Sequence, residues 1–558
     1  MNFLSISWWR NISQKMGRSV GWGCLVIFGV PLVIGFSWWG SNQNRGANAT
    51  QANDSGDVLT VNGEPVTQKE FLFAESHGQM PQPGISYARA QGQIIYLLIM
   101  QRLIAQKAKA LQSLPPDADV DREVAQQRES ILGAKATESD WENYLDQRHL
   151  TPEEFRQQIQ IGLMGKALED RYQKQEKVTS DEAKNQSSEV ELNLVMIPIL
   201  NPSFPTNPKA KPQPLPDADA KKKAEDLLAQ VRAGSDIVKI AKENSGDGNA
   251  QKGGDTGWVK EYGDSPLSYY GKEFQDSAHQ AQKGQFTPVV KVAGFQPGYV
   301  FARVTDRRNN LPKDFDEKKV IEQLQTQRSQ EKLSKELDAS YKAAKIQFGK
   351  GQEDKKAYYD YFRSSLLQMQ QMQAMMGQST GDEPSAQEVS AQKALADTEL
   401  EGVYQRHAKD GSSDGATAAI MIAQDLQQKL GVATPADQPQ IRDRLITLYE
   451  TALKTTEDRK MRFDLANLYR EKKDFDNAEA QLNKIASQLR EFPPFDLASM
   501  QDAMSAHAQL VTAYKQLDTP IAPRPSAAAA AQKEQDAMIA LRPKLIKEQI
   551  KDAESKKN

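Results

Sequence analysis

Five histidines, one cysteine and a glycine-bordered aspartate are the groups from which chemistry could start in this 558-residue chain. His77, His149, His279, His407 and His507 are scattered. None pairs with another at the i, i+4 spacing of a helix-borne metal site, and no Ser/His/Asp set can be argued from them. Cys24 stands alone, which excludes intramolecular disulfides, zinc ribbons and iron–sulfur clusters held by this chain by itself. Gly253-Gly254-x-x-Gly257 lacks both a following Gly-Lys-Ser/Thr and a Rossmann context, so it is no phosphate loop. Neither a metal nor a cofactor is expected. Asp247, in Ser245-Gly246-Asp247-Gly248, reads by itself as the side chain of an Asx-type turn. With 71 Lys+Arg against 74 Asp+Glu, the net charge of −3 does not suit an electrostatic nucleic-acid binder.

These residues must be positioned by several domains, since the length is about four times that of a typical one. Val20 to Trp39 is an uncharged run that, as a helix, spans roughly 30 Å, the hydrocarbon thickness of a bilayer. Trp22, Trp38 and Trp39 lie near its ends, and Arg10, Lys15 and Arg18 precede it. That asymmetry predicts a cytoplasmic segment 1–19, a transmembrane anchor 20–39 and export of the rest. A cleaved signal peptide is the competing reading, but the small-x-small site Ala47-Asn48-Ala49 lies well past the apolar run and after Arg45. Residues 40–56 read as a polar tether.

Val58 to Val61 predicts a strand, Asn62-Gly63 a tight turn, and Thr67 with Glu70 a capping box opening a helix at Gln68. Thr151-Pro152-Glu153-Glu154 opens another, with Phe155, Ile159 and Leu163 on one face. Residues 57–185 are therefore expected as a short strand with several helices. Val190 to Ile197 reads as a strand, and the six prolines of 201–216 as an exposed insertion. Helix resumes at Ala220 and stops before Gly234; another runs from after Lys313 to about Ala344, followed by a short strand Ile346–Phe348.

Over residues 186–308 an ordered series of elements resembles the parvulin (PpiC-type) peptidyl-prolyl isomerases. It comprises Gly234-Ser235-Asp236-Ile237, the loop Gly253-Gly254-Asp255-Thr256-Gly257-Trp258, Lys283-Gly284-Gln285-Phe286-Thr287-Pro288-Val289, and Gly298-Tyr299-Val300 running to Val304-Thr305-Asp306-Arg307-Arg308. The helical part before it, with Val61-Asn62-Gly63-Glu64-Pro65-Val66-Thr67 and Leu150 to Phe155, resembles the chaperone domain of SurA/PpiD-like proteins. The resemblance spans 57–348 and implies a multidomain α+β chain. A SurA-like helical domain (57–185) would precede a parvulin-like domain (186–310) built as a small antiparallel sheet with helices, and 311–348 would return to pack on the chaperone domain. It also implies site residues. The loop acid falls on Asp247, the apolar floor on Phe274 with Tyr270 one turn earlier. The family's two inner histidines are replaced by Val300 and by Leu194, or by Asn193 if the register slips by one. His279 reads as a surface residue.

Residues 349–393 are expected as an amphipathic helix followed by a polar linker. Phe362, Leu366, Met369, Met372 and Met376 recur there at helical spacing, either as a core stripe or as an adaptable face for unfolded clients. Over 394–518, Leu465-Ala466-x-x-Tyr469, Phe475, Ala478 and Leu482 have the spacing of a tetratricopeptide helix pair, in an irregular, short all-α array that could recruit a partner protein. A Pro/Ala linker (519–531) and a charged helix (532–558) close the chain. Together these features predict a membrane-anchored extracytoplasmic folding factor acting on proline-containing, newly translocated polypeptides, as an isomerase or as a catalytically inactive chaperone and scaffold.

Overall fold

In a computed structural model, the described residues are 56–76, 81, 83–148, 150–200, 212–261, 265–292, 297–375, 384–519 and 523–555. The cytoplasmic segment 1–19, the anchor 20–39, all but the last residue of the tether, His77, His149, Met376 and most of the proline-rich insertion lie outside them. Among the described residues no helix is long and apolar enough to cross a membrane. The described residues divide into two compact units, those within Met1–Gln79, Gln93–Gln352 and Phe362–Lys393 forming one and those within Met80–Gly92, Glu353–Tyr361 and Ala394–Asn558 the other.

The first unit opens with β1 (Asp57–Val61) and β2 (Glu64–Thr67), joined by a turn in which Asn62 (φ 53°) and Gly63 (φ 87°) are left-handed. Next come α1 (Gln68–Ser76), α2 (Ile85–Ala110), α3 (Asp117–Leu132), α4 (Glu138–Asp146), α5 (Pro152–Gln175) and α6 (Ser180–Asn185). The expected capping box is present, with Thr67 N–H donating to Glu70 Oε2 at 2.8 Å, and the expected N-cap Thr151 also forms one, its N–H donating to Glu154 Oε2 at 2.8 Å. The parvulin-like segment holds β3 (Ser188–Pro198), α7 (Asp217–Arg232), α8 (Ile237–Asn244), β4 (Asp255–Lys260), α9 (Lys272–Gln280), β5 (Val290–Val292) and β6 (Gly298–Asn309). The chain then returns through α10 (Glu317–Ala343) and β7 (Ile346–Phe348), and α11 (Glu353–Met375) follows. β7 pairs with β1 in a sheet of order β2-β1-β7. Pro65 thus sits on an edge strand, where its missing N–H costs the ladder nothing. On α10, Leu333 and Leu337 bury against Ile104 and Ala108 of α2 and Met164 and Leu168 of α5.

The parvulin-like sheet is antiparallel, in the order β4-β3-β6-β5. Its long central pair runs from Ser188↔Asn309 to Pro198↔Gly298. Strand alternation splits the side chains between two cores. Val195, Ile197, Tyr299 and Phe301 face α7 and α8. Val190, Leu192, Leu194, Met196, Val300, Ala302 and Val304 face Phe274 and Ala278 of α9 and the 3-10 turn Pro266–Tyr270. The second of these cores carries the candidate site.

The second unit is all helical over α12 (Ala386–His407, from Ala394 on), α13 (Ser413–Val432), α14 (Gln438–Ala452), α15 (Arg459–Glu471), α16 (Phe475–Glu491), α17 (Leu497–Leu517) and α18 (Pro525–Ser555). Two boundaries differ from expectation. Helix α12 starts inside the segment read as polar linker, with Ser385 Oγ accepting from Glu388 N–H at 3.1 Å. Helix α18 starts at Pro525, inside the segment read as a Pro/Ala linker. Proline is compatible with a first helical position and alanine is the best helix former, and Ala527 and Ala531 are buried in the unit's core. The helix starts at Ser413, Arg459 and Leu497 are not spaced at a constant interval of about 34 residues, so a regular tetratricopeptide array is not formed.

His407 fastens the start of α11 to this unit: its Nε2 lies 2.8 Å from Asp354 Oδ2 and its Nδ1 2.5 Å from Asp410 Oδ2. Burial alone would lower its pKa, but the two carboxylates prevail and raise it. Burial likewise opposes ionisation of Asp410, yet the hydrogen bonds from His407 and Ser412 bring its pKa to about 2. The histidine therefore contributes stability that is full below its unfolded pKa of about 6.5 and is lost as pH rises through its raised folded value. Asp410 contributes above about 3.9 and loses its contribution toward its folded value. Melting of the second unit should thus be highest at mildly acidic pH and fall toward alkaline pH, and His407→Gln should flatten that fall. Identical profiles for the two proteins would refute the clamp.

Candidate proline site of the parvulin-like domain

The loop between α8 and β4 is bound to the end of β3. Ser245, buried, accepts at Oγ from Met196 N–H (3.0 Å) and from Asp247 N–H (3.3 Å), while Gly246 N–H donates to Met196 O at 2.8 Å. Further along, Leu194 N–H donates to Gly254 O at 2.8 Å. A Cβ on Gly254, at φ +77°, would stand 2.2 Å from Leu194 O. Only glycine allows that approach. Gly254→Ala should therefore destabilise the domain by about 1–3 kcal/mol from backbone strain, with the clash added. Gly257→Ala, at φ +60° with open space around its Cβ, should cost the strain alone. Hydrogen exchange across β3 and β4 would rank the two, and equal losses would count against the close approach.

The structure gathers the five residues singled out from the sequence. Leu194, Phe274 and Val300 are 0% exposed and share one apolar cluster with Tyr270. The Tyr270 and Phe274 rings meet edge to face at 5.4 Å. The Tyr270 hydroxyl then reaches out of the cluster and donates to Asp247 Oδ2 at 2.5 Å. Burial, and then that hydrogen bond, raise the Tyr270 pKa, so the phenol stays a donor. The other Asp247 oxygen accepts from Asn249 N–H at 2.8 Å, the Asx-type turn. Both oxygens are engaged. Asn193, the alternative register position, instead points its amide at Gly253 O (3.3 Å), so Leu194 is the residue that faces the cluster.

Two features were not anticipated. Tyr269, 46% exposed, stands edge-on to Tyr270 at 5.3 Å, and its pKa is raised first by burial and then by the Asp247 charge, which places it beside the acid. His279 is not a plain surface residue: its Nδ1 lies 2.6 Å from Oε2 of Glu261, a residue 1% exposed. Arg307 Nη1 donates to the same oxygen at 2.8 Å, and its Nη2 caps the Ala278 and Ala281 carbonyls at 2.7 Å each. This network locks the end of α9, which carries Phe274. Glu261, His279 and Arg307 are far apart in sequence, and no local pattern announces their meeting.

Residues 6–169 match the family model described as "SurA-like N-terminal domain", and residues 176–308 the model described as "PPIC-type PPIASE domain". Over 318 residues the chain is 25% identical to the Foldase protein PrsA of Clostridium botulinum, covering 53% of this chain and 89% of that protein. It is 31% identical over 128 residues to the Foldase protein PrsA of Geobacillus sp., covering 23% of this chain and 43% of that protein. Chaperone SurA of Alcanivorax borkumensis is 25% identical over 275 residues, covering 47% of this chain and 57% of that protein. Among solved structures, the peptidylprolyl isomerase PrsA from Bacillus anthracis aligns at 21% identity and a TM-score of 0.23, over 44% of this chain and 95% of that one. The chain thus carries a SurA-like N-terminal domain followed by a PpiC-type domain.

Proposed function

We propose that this chain is a membrane-anchored extracytoplasmic folding factor. Its SurA-like domain holds unfolded polypeptides, and its PpiC-type domain acts on their proline segments as a peptidyl-prolyl cis-trans isomerase. The matched foldases and chaperones support the class of activity. The uncharged run Val20 to Trp39, with Arg10, Lys15 and Arg18 before it, supports an anchor with the bulk exported. The irregular helical unit after Ala394 would recruit a partner protein.

Rotating a prolyl bond means crossing a barrier of roughly 18–20 kcal/mol set by partial double-bond character, with no nucleophile required. A site lowers it by seating the ring in apolar surroundings, desolvating the amide and stabilising the twisted carbonyl. Here Leu194 and Val300 stand where the resemblance places the family's two histidines, and both Asp247 oxygens are already bonded. That engagement of Asp247 is the observation that carries the reading: shape and desolvation, rather than charge, are what this domain has to offer a proline. It also favours the second reading, in which the domain binds proline segments with little turnover. Suppression of aggregation of an unfolded protein by the full chain tests the folding role. Retention of that effect after deletion of 57–185 would overturn the assignment of client holding to the SurA-like domain.

A further inference from the structure

The loop between α16 and α17 displays Phe492-Pro493-Pro494-Phe495, with its two rings 73% and 86% exposed. Large aromatic rings are costly to leave in water, and contiguous exposed apolar surface marks interaction sites. The exposure is built in rather than a product of a slack loop. Phe492 N–H donates to Gln488 O at 3.0 Å, and Phe495 N–H donates to Ser499 Oγ at 3.1 Å. Asp496 and Ser499 form a reciprocal capping box that starts α17. The two prolines between have no N–H to satisfy, and their φ is fixed near −65°. The tetrapeptide therefore has no unsatisfied N–H and is held at both ends, which lowers the entropic cost of docking it.

It carries the prolyl bonds assigned above to the PpiC-type domain as substrate, here flanked by two aromatic rings. That domain shows the matching feature, the exposed Tyr269 ring beside Asp247 and Tyr270. We propose that Phe492-Pro493-Pro494-Phe495 is a ligand for the PpiC-type domain of a second copy of this chain, with its rings docking against Tyr269. Reciprocal exchange of the two loops closes a dimer, and clients rich in proline compete with it. The inference rests on the proline-handling reading of that domain.

The test uses the full chain. Sedimentation velocity from low to high micromolar concentration should show self-association of the wild type. It should show monomers for a Phe492→Ser/Phe495→Ser variant and for Tyr269→Ser, each shown to be folded by circular dichroism. A fluorescent peptide of residues 490–496 should bind the loop variant, and adding Tyr269→Ser should weaken it roughly thirtyfold, as loss of an interface hot spot does. Unchanged association of the loop variant, a wild type that stays monomeric, or association indifferent to Tyr269 would each overturn the proposal. If the wild type stays monomeric while the peptide still binds through Tyr269, the self-recognition fails and the proline-handling reading survives. If the peptide does not bind and a generic proline peptide is neither bound nor turned over, both fail.

Discussion

Glu261→Ala is expected to loosen the PpiC-type domain by about 3–5 kcal/mol, the usual cost of removing one partner from a buried ion pair. The carboxylate is 1% exposed and faces Arg307 and His279, so its removal leaves the Arg307 guanidinium without a counter-charge. Arg307 is also the donor to the Ala278 and Ala281 carbonyls at the end of α9, so disorder should spread to the helix that carries Phe274. A domain of ordinary stability holds only about 5–15 kcal/mol in total. Hydrogen exchange in the full chain should show the loss as faster exchange over β3, β6 and α9 while the helices after Ala394 stay protected. Glu261→Gln, which keeps the shape and an acceptor oxygen, should lose less. Equal protection of Glu261→Ala and wild type would show that the network is dispensable.

Phe274→Ala should cost a comparable amount, about 3–5 kcal/mol, because a fully buried ring is replaced by a cavity between the sheet and the Tyr270 ring. Phe274→Leu preserves most of the volume and should stay folded, at a cost near 1 kcal/mol. Any proline binding should still weaken in Phe274→Leu, because Tyr270, and through it Asp247, rests on that ring. Wild-type peptide affinity in Phe274→Leu would remove this cluster from the site.

Much of this architecture could be read from local signals. The capping boxes at Thr67 and Thr151 are four-residue patterns, and the glycine loop sits where a backbone must pass within van der Waals distance of Leu194. Alternation along β3 and β6 puts Leu194 and Val300 on a common face. What stayed hidden depends on contacts between distant residues. Tyr270 reads from the sequence as the neighbour of Phe274 one turn earlier, but its 23-residue separation from Asp247 gives no hint that its hydroxyl occupies the acid. His279 looked solvent-facing because its neighbours Asp276 to Gln282 are polar, whereas its partner Glu261 lies on the preceding connection. The start of α18 was missed for a different reason: Pro525 and the following alanines read as linker composition, although both suit a helix start once Ala527 and Ala531 have a core to enter.

The measurement that bears most directly on the site is prolyl isomerisation and peptide binding by the full chain carrying Asp247→Asn, set against wild type and Phe274→Leu. Asparagine can still accept from Asn249 N–H and from the Tyr270 hydroxyl, so the loop geometry should survive while the charge is gone. A site that works by shape and desolvation should keep most of its binding, and whatever turnover it has, in Asp247→Asn, and lose more of both in Phe274→Leu. If Asp247→Asn abolishes turnover in a folded protein while Phe274→Leu leaves it intact, the acid is the working group and the apolar account of this site is wrong.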